Sequence, residues 1–350
     1  MSIDPGAAAV AGLTRSDPHG PGISRRRDGE VFRYLDPDGG PVTDAETLAR
    51  IRALALPPAW TRVWISPDPL GHIQATGVDS RGRTQYRYHQ LWREQRDAQK
   101  FTHMLRFAGA LPALRQATLH DLRHRGLDRD RVASGAVRLI DLGLFRIGGE
   151  RYAELDHHYG VATLEKRHII PIRGGIRFDY IAKEGKRRDI TVTDPAVLPT
   201  VRALARSDNG LDALFAFQES HNQRSGAWHA LRSHDVSEYI AANAGAHFTA
   251  KEFRTWNATV LMALLLAGAE PAASARGRSR VVAAGVRGVA QWLGDTPTVA
   301  KASYIDPRLI SRYQADGRLE IPARPAALPA DPEAEAAVAA LLAAEAQRPA

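Results

Sequence analysis

The chain has 350 residues, enough for two domains, and its apolar fraction of 44% and charged fraction of 25% are those of an ordinary soluble protein. The lack of cysteine excludes disulfides, zinc–thiolate sites and cysteine nucleophiles. No apolar run is long enough to span a membrane and the N-terminus lacks a signal-peptide pattern, so we expect a cytoplasmic protein without a membrane partner.

The net charge of +8 and the pI near 9.9 favour a polyanionic partner such as nucleic acid, although an arginine-rich surface without such a partner has the same balance. Lysine is rare beside arginine in this sequence. Because lysine can lose its proton in a suitable environment and arginine cannot, a lysine in a catalytic setting is a candidate proton donor.

The N-terminal part of the chain is predicted to contain an arm and a β domain. Residues 1–27 are rich in Gly, Pro, Ala and Ser, end in Arg25-Arg26-Arg27, and are predicted to form a disordered basic arm. Residues 28–90 are predicted to form a small β-sheet domain in which a capping box at 43–46 opens one helix. Strands are predicted at 31–35, 62–65, 72–78 and 84–88, the first of them in a hairpin with a turn at 36–40.

A basic turn at 79–83 joins the last two predicted strands. Arg81 and Arg83 lie in this turn, and Arg87 lies on the strand that follows. Because side chains alternate between the two faces of a strand, the strands on either side of the turn can form polar faces that suit DNA or are simply solvated. The residues of these faces are Gln74, Thr76, Gln85, Arg87 and His89.

Residues 91–322 are predicted to form a larger, mainly helical domain with a small β insertion at 160–193. Residues 323–350, mostly Ala, Pro and Glu, are predicted to be a tail, since a helix starting at 331–332 would have little against which to bury itself. The predicted fold class is α+β. The predicted helices are 92–109, 111–124, 128–142, 195–206, 211–217, 235–243, 250–267, 278–293 and 297–304, and the predicted strands of the insertion are 163–167, 176–182 and 189–193.

Two arginines in this region are candidates for binding a phosphate. Arg146 precedes Gly148 and Gly149, which allow a backbone to approach closely, and arginine offers a planar fork of donors. Arg254 follows a capping box at 249–252, so it lies near a helix N-terminus. Taken singly, each also fits an exposed or salt-bridged arginine.

A lysine and a tyrosine are candidates for the chemistry itself. Lys183 is predicted to lie in a hairpin turn, from which it could protonate a leaving oxygen. Tyr304 lies near the end of a short helix that Thr296-Pro297 begins, and it is a candidate nucleophile. A solvated lysine and a tyrosine anchored in the core are the alternatives.

Attack on a phosphodiester builds negative charge that the site must balance. Metal ions can do so but need clustered ligands, and we expect neither a dense Asp/Glu cluster nor a His-x-x-x-His pair in this chain. We therefore predict a site without metal or cofactor, in which arginines, a lysine and a side-chain nucleophile act together.

The order of these motifs resembles that of the type IB DNA topoisomerases, in particular the bacterial and poxvirus-like branch. The N-terminal stretch from 56–60 to Tyr88 looks like the small β domain of that family. The resemblance covers roughly residues 28 to 320. The matching motifs are Phe145-Arg146-Ile147-Gly148 with Tyr152, Phe178-Asp179-Tyr180-Ile181-Ala182-Lys183, Lys251-Glu252-Phe253-Arg254-Thr255-Trp256, and 293–307.

The resemblance implies that the two domains clamp duplex DNA and that the protein relaxes supercoils through a 3′-phosphotyrosyl intermediate, without ATP or metal. It assigns Tyr304 as the nucleophile, Arg146 and Arg254 as transition-state stabilisers, and Lys183 as the general acid. A monomer is implied, as is residence with the nucleoid in the cytoplasm. Two further positions, Arg151 and Tyr152, match residues that touch the DNA backbone.

One position departs from the family pattern, because Asp295 stands where His or Asn usually donates a hydrogen bond to the phosphate. An ionised carboxylate would repel that phosphate. Asp295 could be protonated on DNA, could cap the following helix, or could make the enzyme slower; we favour the capping role with a reduced phosphate contact.

Two alternatives remain at this stage. A tyrosine recombinase shares the helical catalytic fold, but it usually has a histidine three residues before the second arginine, where this chain has Lys251, and its N-terminal domain is typically helical. The other alternative is a catalytically weakened DNA-binding relative, which Asp295 would explain.

Overall fold

The computed structural model describes residues 12–29, 31–143, 145–221, 224–245, 248–322 and 331–346. The chain forms two compact units, Met1–Phe101 and Thr102–Ala350. The predicted α+β class is confirmed, since the first unit contains an antiparallel sheet and the second is mainly helical. Among the described helices, none combines the length and the apolar character that crossing a bilayer requires.

The first unit is a five-stranded antiparallel sheet with one face covered by a helix. Its elements are β1 (Ile23–Asp28), β2 (Val31–Leu35), α1 (Ala45–Ala53), β3 (Thr61–Ile65), β4 (Ile73–Val78) and β5 (Thr84–Tyr88). The strand order is β2-β1-β3-β4-β5. Ile51 of α1 packs with Ile23, Val63, Ile65 and Ala75 of the sheet, so the alternating apolar residues of the strands form the core.

The prediction of a disordered arm as far as residue 27 was wrong for its last residues. β1 contains Arg25-Arg26-Arg27 and pairs with β2, so the hairpin partner of β2 lies before it rather than after the turn at 36–40. The Arg25 guanidinium donates to the carbonyls of Pro57 (2.9 Å) and Trp60 (2.8 Å). These hydrogen bonds hold in place a basic segment for which composition alone predicts disorder. Residues 1–11 of the predicted arm lie outside the described residues.

The second unit begins within a long helix, and a different, buried helix lies in its core. Its helices are α2 (Gln90–Asp121), α3 (Arg129–Asp141), α4 (Glu150–Asp156), α5 (Leu198–Arg206), α6 (Ser233–Ala244), α7 (Ala250–Ala267), α8 (Ala275–Leu293), α9 (Pro297–Ser303), α10 (Pro307–Asp316) and α11 (Pro332–Ala346). The two helices predicted at 92–109 and 111–124 form one helix, α2, with Pro112 inside it. α7 has the predicted bounds, and most of its residues are buried.

Two small sheets accompany these helices. One has the order β6-β7-β8, with β6 (Ile169–Ile172), β7 (Gly175–Ile181) and β8 (Arg187–Val192), which confirms the β insertion. The strand predicted at 163–167 was wrong, because short 3₁₀ turns occupy this stretch. The helix predicted at 211–217 was also wrong: β9 (Ala216–His221) pairs there with β10 (Arg224–Ala230). That apolar run is too short for its period to separate helix from strand.

The predicted C-terminal tail is in part a packed helix, α11, which contacts α7 and α10. Ala334, Val338 and Leu342 of α11 are buried. Arg115 of α2 binds Glu335 of α11 (2.7 Å) and also Asp141 (2.9 Å). Nothing local in the sequence indicates this burial, because Arg115, which pairs with Glu335, lies far from α11 in the chain. Residues 323–330 and 347–350 of the predicted tail lie outside the described residues.

Candidate active site

Arg146 lies in the connection between α3 and α4, which is held by a second stretch of backbone. The Arg146 carbonyl accepts from the Val161 amide (2.8 Å). Gly148 has a φ of +87°, and a Cβ placed on Gly160 would lie 2.4 Å from the Gly148 nitrogen. The glycines therefore do permit a close backbone approach, as predicted, but between two segments of the protein. This contact fixes the backbone from which the Arg146 side chain projects.

Arg254 projects from the first turns of α7. The predicted capping box is present, since the Glu252 carboxylate accepts from the Thr249 amide (2.8 Å). The Arg254 side chain is only 6% exposed. Burial and the charge of Arg146 lower the pKa of Arg254, while Tyr304 and Asp295 oppose this shift. An arginine starts from so high a pKa that the guanidinium stays charged at neutral pH.

Asp295 bridges these two arginines. Arg146 Nη2 donates to Asp295 Oδ1 (2.8 Å), and Arg254 Nη2 donates to Asp295 Oδ2 (2.9 Å). The Asp295 side chain is only 7% exposed. Each carboxylate oxygen therefore accepts from one guanidinium, so a single negative charge lies between two positive ones and links segments far apart in the sequence.

The favoured interpretation of Asp295 as a helix cap was wrong. Thr296 is the N-cap of α9, and its hydroxyl accepts from the Val299 amide (3.3 Å). Gly294, with a φ of +67°, ends α8, and the Asp295 amide donates to the Ala290 carbonyl (3.0 Å). Residues on either side make both helix ends, so the Asp295 carboxylate is free to face the arginines.

Tyr304 directly follows α9 and lies against Arg254. The Thr259 hydroxyl donates to the Tyr304 carbonyl (3.1 Å), which ties the end of α9 to α7. The Arg254 guanidinium carbon lies 5.2 Å from the centre of the Tyr304 ring. The side chain is half-buried, so its environment is partly solvent and partly arginine. The guanidinium therefore places a positive charge beside the ring of the candidate nucleophile.

Lys183 lies in the turn between β7 and β8, as predicted, and it reaches the same cleft as the arginines. The cleft is lined by residues from the β insertion, from the Arg146 segment, from α7 and from the end of α8. They are Arg146, Tyr159, Tyr180, Ala182, Lys183, Lys186, Arg188, Arg254, Leu293 and Gly294. The structure thus brings together Lys183, Arg146 and Arg254, with Asp295 and Tyr304 in contact with Arg254.

Two cations of this cleft were missed by the sequence interpretation. Lys186 Nζ donates to the Gly294 carbonyl (3.3 Å), and Arg188 Nη2 donates to the Trp292 carbonyl (3.5 Å). Lys186 directly precedes β8 and Arg188 lies within it, and the two side chains point to the same face because side chains alternate along a strand. This spacing was the sequence pattern from which both residues could have been predicted, because it indicates two further cations of the hairpin near Lys183.

Tyr180 is one of the tyrosines that line the cleft. Its side chain is buried, and its ring stacks on that of Phe145 at a centroid distance of 6.0 Å. Burial raises the pKa of Tyr180 to about 12, against the opposing charge of Arg188. A buried neutral phenol is a poorer nucleophile than a phenol in contact with Arg254, which favours Tyr304 for that role.

The predicted DNA-contacting residues are not part of this cleft. Arg151 and Tyr152 are exposed on α4. In the first unit, Arg83 pairs with Asp79 (2.8 Å) and Arg81 is exposed. The Arg87 guanidinium carbon lies 5.6 Å from the centre of the Trp60 ring. Their part in binding DNA remains a prediction.

Comparison with known proteins gives this geometry its context. Residues 89–317 match the family described as "Eukaryotic DNA topoisomerase I, catalytic core", and this range includes every residue of the cleft. The chain belongs to the type IB DNA topoisomerases. Residues 31–79 match the family described as "Bacterial DNA topoisomerase IB, N-terminal domain", and this range contains β2, α1, β3 and β4 of the first unit.

This topoisomerase is also similar to a viral relative. The DNA topoisomerase 1B of Acanthamoeba polyphaga mimivirus is 29% identical over 296 residues, which cover 84% of this chain and 88% of the relative. The resemblance inferred from four ordered motifs is therefore confirmed, and it extends over both units of the topoisomerase.

Proposed function

We propose that this type IB topoisomerase relaxes supercoiled duplex DNA by transient cleavage of one strand, with Tyr304 as the nucleophile. The proposal rests on one observation above all. Two arginines bind a single resident anion, Asp295, and one of them, Arg254, also contacts Tyr304. An anion site beside a phenol is what attack on a phosphodiester requires.

In the proposed cleavage step, the Tyr304 oxygen loses its proton to solvent and forms a bond to the phosphorus. The bond from phosphorus to the 5′-oxygen breaks, and the leaving 5′-oxygen takes a proton from the Lys183 ammonium group. The strand then carries a 3′-phosphotyrosyl link and a free 5′-hydroxyl, and it rotates. Attack by that hydroxyl reverses each step, so the energy of the phosphodiester is conserved without ATP.

The arginines stabilise the transition state in this proposal. Arg146 and Arg254 each direct one Nη2 donor at the same carboxylate. The nonbridging oxygens of a phosphate present a similar pair of acceptors, so a phosphate that displaces Asp295 would meet both guanidinium groups. Arg188 and Lys186 add positive charge around the same cleft. Because these donors are already oriented, little reorganisation accompanies the reaction.

A plasmid assay tests the function. We expect the purified protein to relax negatively supercoiled plasmid in EDTA without ATP, and addition of denaturant during the reaction to leave protein attached to the 3′ end of a nicked strand. Recombinant junctions in place of topoisomers would support the recombinase. Binding without any change in linking number would support the weakened DNA-binding relative, and either result would overturn the proposal.

The acid role of Lys183 has its own test. We expect Lys183→Ala to slow cleavage of an ordinary strand by roughly 10²- to 10⁴-fold, because the 5′-oxygen then leaves without a proton. A substrate with sulfur at the 5′-bridging position should restore the rate, since a thiolate leaves without protonation. Lys186→Ala is the matched control, because Lys186 lines the same cleft. Sulfur rescue of Lys186→Ala but not of Lys183→Ala would transfer the acid role to Lys186.

The remaining proposals concern DNA binding and cellular context. We infer that Arg151 and Tyr152 contact the DNA backbone near the cleavage site, and that Arg81, Arg83 and Arg87 contact it from the first unit. Phosphate contacts of this kind make affinity fall steeply with salt. We further propose that the enzyme acts as a monomer at the nucleoid in the cytoplasm.

A further inference from the structure

Two histidines and an aspartate meet at the C-terminal end of α2. Asp121 Oδ1 lies 3.0 Å from His120 Nδ1 and 3.5 Å from His124 Nε2. One donor atom from each of these residues lies within 4.8 Å of the other two. Donors bound to zinc at about 2.1 Å in a tetrahedron are separated by about 3.4 Å, so the spacing around Asp121 Oδ1 fits a shared metal ion.

The orientation of His124 is set by a second carboxylate. His124 Nδ1 lies 3.3 Å from Asp128 Oδ2, while Asp128 Oδ1 accepts from the Arg131 amide (2.8 Å) at the start of α3. With Nδ1 turned to Asp128, the His124 ring presents Nε2 to Asp121 Oδ1. A metal ion at this point would therefore meet one nitrogen and one oxygen ligand. A carboxylate behind a histidine ligand is the usual outer contact in zinc sites.

The orientation of Asp121 is set by a buried tyrosine. The Tyr239 hydroxyl of α6 donates to Asp121 Oδ2, and the Tyr239 side chain is buried. The bond occupies Oδ2 and leaves Oδ1 toward the histidines. His120 is 74% exposed, so the fourth position of a tetrahedron lies open to water.

We propose that His120, Asp121 and His124 bind a divalent transition metal ion of the zinc type. Two neutral imidazoles and one carboxylate are ligands that suit Zn²⁺ better than Mg²⁺ or Ca²⁺, which prefer oxygen donors. None of the three residues lines the catalytic cleft. The bound ion joins the end of α2 to the start of α3 through Asp128 and to α6 through Tyr239, and it therefore stabilises the helical unit rather than taking part in DNA cleavage.

The site revises the prediction that the protein binds no metal. The expectation that the chain lacks a His-x-x-x-His pair was wrong, because His120 and His124 are four residues apart and their side chains meet where α2 ends. The structure adds the third ligand, Asp121, and the outer contacts that orient Asp121 and His124.

Metal titration tests the proposal on the full untagged chain after removal of metal with EDTA and dialysis. We expect one equivalent of Zn²⁺ to bind and Co²⁺ to give the visible d–d bands of a four- or five-coordinate site. Zn²⁺ at about a hundredfold excess over its dissociation constant should raise the Tm by roughly 5 °C. His124→Ala and, separately, His120→Ala should weaken binding at least about 100-fold, and Tyr239→Phe about tenfold.

His234→Ala is the matched control, because His234 is an exposed histidine with a single carboxylate partner, Glu238, at 3.0 Å. It should bind Zn²⁺ as the unchanged chain does. Lack of stoichiometric binding by the unchanged chain, or unchanged binding by His124→Ala, would overturn the proposal. Circular dichroism of each variant verifies folding, and His124→Gln provides a second test if the alanine variant is unfolded. Plasmid relaxation in EDTA should persist in all of these variants. A failed metal titration would therefore not contradict the proposed function, and a failed relaxation assay would not contradict metal binding.

Discussion

Replacing Tyr304 with phenylalanine is expected to abolish plasmid relaxation and to remove the covalent adduct that denaturant traps. The change deletes the only atom that forms the bond to phosphorus, so the loss should be on the order of 10⁴-fold or more in single-turnover cleavage. Adduct on a labelled strand, resolved by gel electrophoresis, measures it directly. Mass spectrometry of the wild-type adduct should locate the nucleotide on the peptide that contains Tyr304.

The phenylalanine variant should fold and bind DNA as the wild type does. The bond from Thr259 reaches the carbonyl of Tyr304 rather than its hydroxyl, so the end of α9 keeps its attachment. Tyr180→Phe is the informative comparison, since Tyr180 lines the cleft and its phenol is close enough to Arg146 and Arg254 to be affected by their charges. If adduct persisted in Tyr304→Phe and disappeared in Tyr180→Phe, the nucleophile would be Tyr180.

Replacing Asp295 with asparagine is expected to speed cleavage while making the protein less stable. The carboxylate occupies one Nη2 donor on each arginine, and a phosphate must displace it. A hydrogen bond to a charged group is worth about 1.5–3 kcal/mol, so releasing the competing anion should accelerate single-turnover cleavage roughly 10- to 100-fold. Rapid-quench measurement of adduct formation at saturating protein tests this expectation.

The expected loss of stability has the same cause as the gain in rate. Arg254 is buried, and the loss of its charged partner should lower the free energy of unfolding by about 1–3 kcal/mol, measured by urea denaturation. Asp194→Asn is the matched control, because Asp194 forms a comparable ion pair with Arg138 (2.7 Å) but does not line the cleft. Its cleavage rate should not change. Cleavage by Asp295→Asn at the wild-type rate or below would mean that Asp295 does not compete with the phosphate.

Local signals in the sequence predicted much of this fold correctly. The capping box and the apolar run gave the bounds of α7, and Gly294 and Thr296 marked where α8 ends and α9 begins. These features depend on residues within one or two turns of each other, so their chemistry is readable without tertiary structure. The order of the motifs then identified the family.

The partners of Asp295 could not be predicted in this way. Its bond to Arg146 joins residues 149 positions apart, and only packing of α8 against α7 and the connection after α3 brings them together. The residues near Asp295 in the sequence favoured a helix cap, because aspartate is one of the residues preferred at the N-cap position. The burial of α11 was missed for the same reason, since Arg115 pairs with Glu335 across 220 positions.

The end of α8 has a consequence for how this protein can vary. Gly294 adopts a left-handed backbone that favours glycine, and a Cβ there would lie 2.5 Å from Arg188 Nη1. A side chain at this position would be strained by that backbone and would also have to displace the end of the Arg188 side chain, which lines the cleft. The charge at residue 295 can therefore change while the turn before it is kept, whereas a change at Gly294 affects both the turn and a cleft arginine.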